Sequence, residues 1–164
     1  MHANTRVILA KYVMPHLTPA MRVLEVGPDF DERIVPSWDT AGIDNDPRLT
    51  YRCGKYTLPI LSNTYDAVVA VNVMEHVGMP WVWVIELKRV CKPGGLVALI
   101  VPANWPYHKA PVDCWRVYPD GMQSLLAWAG LDIVECRASV AVPDDPTPLL
   151  GGVVVDTVGI GRKP

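Results

Sequence analysis

The sequence lacks paired cysteines and long apolar segments, and these absences exclude several classes of protein. Its four cysteines lie far apart and include no C-x-x-C pair, so we predict neither a metal site nor a disulfide framework. No segment approaches the roughly 20 apolar residues of a membrane span, and the first residues do not have the pattern of a signal peptide. We therefore expect a reduced, cytoplasmic protein.

An excess of charge of one sign is also missing. The 15 basic and 17 acidic residues give a formal net charge of −2, and no block of like charges occurs along the chain. Nucleic acid and anionic membranes are therefore disfavoured partners. Half of the residues (50%) are hydrophobic and 20% are charged, which is typical of a globular chain. The 164 residues are enough for one domain with a single core.

What the chain does contain is an alternation of two apolar patterns. Short continuous apolar runs predict strands, and runs with a helical period predict helices. The predicted strands are 21–26, 40–44, 65–73, 96–102, 131–139 and 151–161, and the predicted helices are 4–17, 80–95 and 118–130. A proline-rich loop, 142–150, joins the last two strands. The alternation predicts an α/β fold with a doubly wound, mostly parallel sheet and helices on both faces. The helical period over 80–95 places Trp81 in the core.

The exits of the first two strands carry the residues that a cofactor site needs. In open parallel sheets, ligands bind outside the carboxyl ends of the strands. Glu25 and Gly27 lie at the end of the first strand, and Asp44 follows the second. A carboxylate at that place can accept two hydrogen bonds from the cis-hydroxyls of a ribose. The sequence therefore predicts a nucleoside-containing ligand at this edge of the sheet.

Four segments in order resemble the class I S-adenosylmethionine-dependent methyltransferases, and in particular a small bacterial branch called type 11. They are "VLEVGP", "GIDNDP", "YDAVVAVNVMEHV" and "ELKRVCKPGGLVALIVP". Residues 108–135, "HKAPVDCWRVYPDGMQSLLAWAGLDIVE", are similar to a block found in a subset of that branch. The resemblance implies a Rossmann-like, seven-stranded sheet with an antiparallel last strand. It also implies one domain over 1–164, with an N-terminal helical segment (1–20), a cofactor-binding half (21–102) and an acceptor-side half (103–164).

The cofactor that the resemblance implies is S-adenosyl-L-methionine. The matching positions are Glu25, Gly27, Pro28, Asp44, Asn45, Asn72 and Met74. The first loop departs from the family, because only Gly27 remains of its usual glycines and Pro28-Asp29-Phe30 replace the others. We expect a short or missing first crossover helix and a weaker affinity for the cofactor. The stretch "RCGKYTLP" (52–59) also lacks the acid that binds adenine in relatives.

The loops after the fourth and fifth strands carry the candidates for chemistry. Methyl transfer is an in-line displacement that requires a positioned acceptor atom and, for oxygen or nitrogen, the removal of a proton. The predicted catalytic residues are His108, His76 and Asp113, and the predicted acceptor-binding residues are Trp105, Tyr107, Trp115 and Arg116. Each has a structural alternative: His76 shapes its loop, Asp113 and Arg116 form a brace, and Trp115 fills the core.

Three functions remain open at this point. The first is methyl transfer to a hydroxyl or amine of a small metabolite, a sugar or a lipid-linked glycan, with the site closed by the loop after the fifth strand or by formation of a homodimer. "VNVMEHV" replaces the motif with which DNA amino-methyltransferases hold a flipped base, which further disfavours nucleic acid. The second is a nicotinamide-dependent oxidoreductase, which needs three glycines where one is present. The third is a non-catalytic binding module that keeps the fold.

Overall fold

The strands of the computed structural model, which describes residues 3–140 and 155–164, form one seven-stranded sheet. They are β1 (Val23–Val26), β2 (Asp39–Gly42), β3 (Tyr51–Arg52), β4 (Tyr65–Val71), β5 (Cys91–Pro102), β6 (Asp132–Val140) and β7 (Val155–Arg162). The order across the sheet is β3-β2-β1-β4-β5-β7-β6. Neighbours from β3 to β5 are parallel, and β7 is antiparallel to both β5 and β6. The predicted fold class is confirmed.

Some predicted boundaries differ from the observed ones. The short strand β3 was not predicted, and the proline-rich loop 142–150 and residues 151–154 of the last predicted strand lie outside the described residues. The predicted helix 80–95 ends at Val90, because Cys91 already pairs with Tyr65 of β4. Gly95 then lies so close to the backbone of β4 that an added Cβ would be 2.7 Å from the carbonyl oxygen of Asp66.

The described residues contain three α-helices and several short helical turns. They are α1 (Ala3–Ile8), which continues into a π-helical turn (Leu9–Val13) and a 3₁₀ turn (Met14–His16), a second 3₁₀ turn (Met74–His76), α2 (Pro80–Val90) and α3 (Pro119–Trp128). Proline occupies the first position of α2 and of α3, where its missing N–H has no intrahelical partner to lose. Gly130 ends α3 with a φ of +68°, as expected for a helix C-terminus.

The sheet has a packed core on each face. Alternate residues of a strand point to opposite faces, so Leu24 of β1 packs on one side with α2 and α3, and Val23 packs on the other with α1 and the π-helical turn. The helices therefore cover both faces, as predicted. Within the described ranges, none of these helices combines the length and hydrophobicity that a bilayer crossing requires. The four cysteines are free thiols.

The prediction that Trp81 lies in the core is wrong. The side chain is 42% exposed, whereas Trp83 is 5% exposed and belongs to the core. The reason is the phase of the helix: Pro80, Trp83, Val84, Leu87 and Val90 form the buried stripe of α2. Trp81 lies beside that stripe, where its ring meets Trp115 edge-on with 6.1 Å between the ring centroids.

Candidate active site

A cavity of about 420 Å³ opens at the carboxyl ends of β1, β2 and β4. Gly27 and Pro28 follow β1, Asp44 follows β2, and Asn72 follows β4, and all four residues line the cavity. Strands that meet at one edge of a parallel sheet bring their exit loops together, which is why positions far apart in sequence form one wall. The volume is in the range of small-molecule sites.

Gly27 has a conformation and a contact that other residues cannot match. Its φ is +71°, in the left-handed region, and an added Cβ would be 2.5 Å from Cγ2 of Val73. A real Cβ does not approach a carbon this closely without a shift of the neighbour. Glycine therefore allows the turn after β1 to pack against the loop after β4.

The loop between β1 and β2 is held by an arginine in place of a helix. Residues 27–38, all of them described, contain no helix, which confirms the expectation for the first crossover. Arg33 donates from Nε to Glu25 at 2.8 Å and from Nη2 to the carbonyl oxygens of Val35 and Trp38. Glu25 is 4% exposed, and its burial raises the pKa of the carboxyl group while Arg33 opposes that shift. Glu25, predicted to bind cofactor, thus already has a cationic partner inside the protein.

The segment 53–58 forms another wall of the cavity and is tied to α2 by an ion pair. Glu86, which also lines the cavity, accepts from the backbone N–H of Leu58 at 2.6 Å and from Arg89 at 2.7 and 2.8 Å. Arg89 donates in turn to the carbonyl oxygens of Leu58 and Ile60. The Arg89 guanidinium holds the pKa of Glu86 below its usual range. The ion pair therefore fixes the segment that, by the family resemblance, was expected to lie beside the adenine.

Three residues of the predicted cofactor set do not line this cavity: Glu25, which is held by Arg33, Asn45 and Met74. Asn45 is exposed and accepts a long hydrogen bond, 3.4 Å, from Arg52. Met74 is 1% exposed and belongs to the core below α2. Asn45 and Met74 belong to two of the family-like segments, but in each segment it is a neighbouring residue, Asp44 or Asn72, that reaches the cavity.

The loop after β5, residues 103–118, covers the cavity and is fastened to the segment 73–78. The backbone N–H of Cys114 donates to the Glu75 carbonyl at 2.7 Å, and Nε1 of Trp115 donates to the Val77 carbonyl at 2.8 Å. A third contact joins Nδ1 of His76 to the Val112 carbonyl at 2.5 Å. Ala110, Pro111, Val112 and Cys114 of this loop line the larger cavity. The loop after β5 thus forms part of the wall of this cavity.

Asp113 and Arg116 form the internal brace of this loop. Arg116 donates to both carboxylate oxygens of Asp113, at 2.6 and 2.7 Å, and also to the carbonyl oxygens of Trp105, Pro106 and Trp115. The Asp113 side chain is 1% exposed, and Arg116 holds the pKa of its carboxyl group far below the usual range. These contacts favour the structural alternative for both residues. Of the predicted acceptor-binding residues, Tyr107 is 71% exposed. None of the four lines the larger cavity or the smaller cavity that adjoins it: Trp105, Tyr107, Trp115 and Arg116.

A second cavity, of about 250 Å³, adjoins the first and is lined by both predicted catalytic histidines. Glu75, His76 and His108 line it, and the ligand-type atoms of these three residues lie within 4.8 Å of one another. The two imidazole rings meet edge-on with 4.9 Å between their centroids. Burial raises the pKa of Glu75 to about 7. The two histidines predicted to be catalytic are therefore brought together, whereas Asp113 contacts His108 from behind.

Sequence reasoning missed several residues that shape these cavities. Arg33 and Glu86 look like ordinary surface charges in the sequence, and only the fold shows that each carries a buried hydrogen-bond network. Phe30 lines the larger cavity beneath the Arg48 guanidinium, 4.4 Å from the ring centroid. For Glu75 the sequence did contain an indication of a role in the site, because it directly precedes the predicted catalytic residue His76 in "MEHV".

The family is decided by the match of a family model to this chain. The model described as "Methyltransferase domain" matches residues 10–99, more than half of the chain. The chain belongs to the methyltransferase domain family. The predicted family is confirmed, and a nicotinamide-dependent oxidoreductase has no support.

Curated relatives of this methyltransferase domain are longer proteins. An uncharacterized methyltransferase of Mycobacteroides abscessus is 40% identical over 79 residues, which are 48% of this chain and 30% of that protein. An uncharacterized methyltransferase of Schizosaccharomyces pombe is 28% identical over 135 residues, which are 70% of this chain and 49% of that protein. The chain thus spans half or less of the length of these two relatives.

Solved structures of other methyltransferases share the fold. The 1,6-didemethyltoxoflavin-N1-methyltransferase of Burkholderia thailandensis, solved with bound 1,6-didemethyltoxoflavin and S-adenosylhomocysteine, has a TM-score of 0.72 at 15% identity. The match covers 99% of this chain and 79% of that one. At this identity the likeness shows the architecture of the methyltransferase domain alone.

Proposed function

We propose that this domain is an S-adenosylmethionine-dependent methyltransferase that acts on an oxygen or nitrogen atom of a small metabolite, a sugar or a lipid-linked glycan. The observation that carries the proposal is the larger cavity, which brings Gly27, Asp44 and Asn72 to one edge of the seven-stranded sheet. Membership of the methyltransferase domain family supports the reaction.

The residues present fit the cofactor. The missing side chain at Gly27 leaves the backbone open where a ligand can approach, and Asp44 supplies a carboxylate for the ribose hydroxyls. Ile43, Leu49, Leu58 and Trp83 give the same cavity an apolar surface that suits a purine ring. Bound there, the cofactor supplies an electrophilic methyl group. The chain's own part is to position the reacting atoms and to exclude water with the loop 103–118.

The smaller cavity is the proposed place of the acceptor. The two cavities share Val26, Gly27, Pro28, Asn72 and His76 in their walls. A methyl group at this common wall would face an acceptor held on the other side. The volume of about 250 Å³ favours a small molecule, or one end of a larger one. His76 and His108 border this space, so their predicted part in the chemistry remains a proposal.

Titration calorimetry with S-adenosylhomocysteine, S-adenosylmethionine and NADH tests the cofactor assignment. We expect the first two ligands to bind with a stoichiometry of one and NADH to give no heat of binding. Absence of binding by both sulfur-containing ligands, or binding of NADH, would overturn the proposal.

One observation favours a second candidate, a binding module without turnover. Arg33 already neutralises Glu25, and a cofactor ammonium group would have to share that carboxylate. Equilibrium binding of S-adenosylhomocysteine, combined with an absence of methyl transfer to hydroxyl and amine acceptors, would support this alternative.

A further inference from the structure

Glu75 has a buried carboxylate oxygen for which the described part of the protein offers no hydrogen-bond donor. The side chain is 1% exposed, and Oε2 has no partner among the described residues. A buried polar atom without a partner costs free energy, and an anionic one costs more. The residue lines the smaller cavity, so a ligand in that cavity can reach it. The atom therefore points to a missing cationic or donor group.

In each of the two histidines beside Glu75, one ring nitrogen already contacts a backbone carbonyl oxygen. Nδ1 of His76 is 2.5 Å from the Val112 carbonyl, and Nδ1 of His108 is 3.1 Å from the Pro106 carbonyl. A carbonyl oxygen only accepts, so both Nδ1 atoms carry the proton and both Nε2 atoms keep a lone pair in the neutral ring. Asp113 lies 3.4 Å from Nδ1 of His108 and adds a carboxylate behind that ring. This arrangement is typical of metal-binding histidines, whose second nitrogen donates to a carbonyl or carboxylate.

The three residues together form a donor set for a divalent metal ion. Nε2 of His76 is 3.8 Å from Oε1 of Glu75, and the candidate ligand atoms of the cluster lie within 4.8 Å of one another. Ligands of a tetrahedral zinc ion are about 3.4 Å apart for bonds of about 2.1 Å. The widest pair must therefore approach by about 1.4 Å. A rotation of the His108 side chain, which is 36% exposed on the loop 103–118, can supply this movement.

We propose that Glu75, His76 and His108 bind one divalent transition-metal ion of the zinc or cobalt class at the wall of the smaller cavity. Two imidazoles and one carboxylate are a known zinc ligand set that leaves coordination positions open, and imidazole favours such ions over Mg²⁺ and Ca²⁺. The sequence predicted no metal site, because the cysteines lack metal-binding spacing and the three ligands come from two separate loops. The open positions face the cavity that the proposed function assigns to the acceptor. The site itself does not depend on that function.

Titration of Zn²⁺ and Co²⁺ into the chelator-treated full chain, without cofactor, tests the proposal. We expect one equivalent of each ion to bind, a visible Co²⁺ absorption band, and a rise in the melting temperature with Zn²⁺. His108→Ala should weaken binding by more than about 100-fold, because the loss of an outer partner alone costs 10- to 100-fold. Glu75→Gln should abolish the rise in melting temperature.

Two matched controls separate this site from others on the same chain. His16→Ala removes a histidine of the 3₁₀ turn outside the cluster, and Cys114→Ser removes an exposed thiol that lines the larger cavity. Both variants should bind Zn²⁺ as the unchanged protein does.

Absence of binding to the unchanged protein overturns the proposal, as does unchanged binding to Glu75→Gln or an equal loss in His108→Ala and His16→Ala. If His108→Ala does not fold, the comparison of Glu75→Gln with Cys114→Ser decides the question. Because no cofactor is present, a negative result here leaves the calorimetry with S-adenosylhomocysteine unaffected.

Discussion

Gly27 and Val73 are packed so closely that a Cβ at position 27 would be 2.5 Å from Cγ2 of Val73. This contact joins the turn after β1 to the loop after β4, and both line the larger cavity. The position of one glycine thus controls the distance between two walls of the site.

Gly27→Ala should destabilise the protein more than Gly94→Ala. Both glycines have a positive φ, +71° and +76°, but an added Cβ at Gly94 has no heavy atom within 4 Å. Gly94→Ala should cost about 1 kcal/mol for the backbone conformation alone. Gly27→Ala should cost about 1–3 kcal/mol more because Val73 must move. Urea unfolding of both variants gives the difference, and equal losses would contradict the steric role of Val73.

Asp44→Ala should weaken the binding of S-adenosylhomocysteine. Hydrogen bonds to a charged group contribute about 1.5–3 kcal/mol, which corresponds to about 10- to 150-fold in the dissociation constant. Asn45→Ala is the control, because Asn45 is adjacent to Asp44 in the chain but does not line the cavity. Calorimetry should show unchanged affinity for Asn45→Ala. A similar loss in both variants would refute the assignment of Asp44 to the ribose.

Glu86→Gln should lower stability in a pH-dependent way. The folded pKa of Glu86 is lowered by Arg89, so its contribution is complete above the unfolded value of about 4.3 and disappears as the pH falls through the folded value. The free energies of unfolding of the unchanged protein and the variant should differ by about 1 kcal/mol at pH 7 and converge below about pH 4. Glu135→Gln, in an exposed pair with Arg137, should change little at either pH. Urea unfolding over this pH range is the measurement, and a difference that grows in acid would contradict the ion pair's role.

Arg116→Lys should loosen the loop 103–118 although the charge is kept. A lysine cannot reproduce the fork that reaches both oxygens of Asp113 and three backbone carbonyls. Hydrogen exchange of the His108 amide, which donates to Asp113 at 2.7 Å, should accelerate by about 10-fold or more, equivalent to roughly 1.4 kcal/mol of local stability. Arg137→Lys, in an exposed pair, should leave that amide unchanged. Protection equal to that of the unchanged protein would show that the brace is dispensable.

The sheet could be predicted because its signal is local. Buried strands such as 65–71 are continuous apolar runs, and the prolines and glycines beside them mark where strands and helices end. Trp81 was wrongly placed in the core because Trp81 and Trp83 are the same residue type. The sequence pattern did not show which of the two lies on the buried face of α2. The roles of Arg33 and Glu86 could not be predicted, because an arginine or glutamate has the same sequence signal on the surface and in a buried network. The metal-ligand cluster depends on the distance between two loops, which no local pattern contains.

One loop closes both cavities. Residues 110–112 and Cys114 line the larger cavity, and His108 lines the smaller one. Three hydrogen bonds tie this loop to the segment 73–78. Movement of this loop away from the sheet would therefore uncover both spaces in a single event. In the proposed methyltransferase, cofactor and acceptor would then pass the same loop, and the breaking of those three bonds would gate the passage of both.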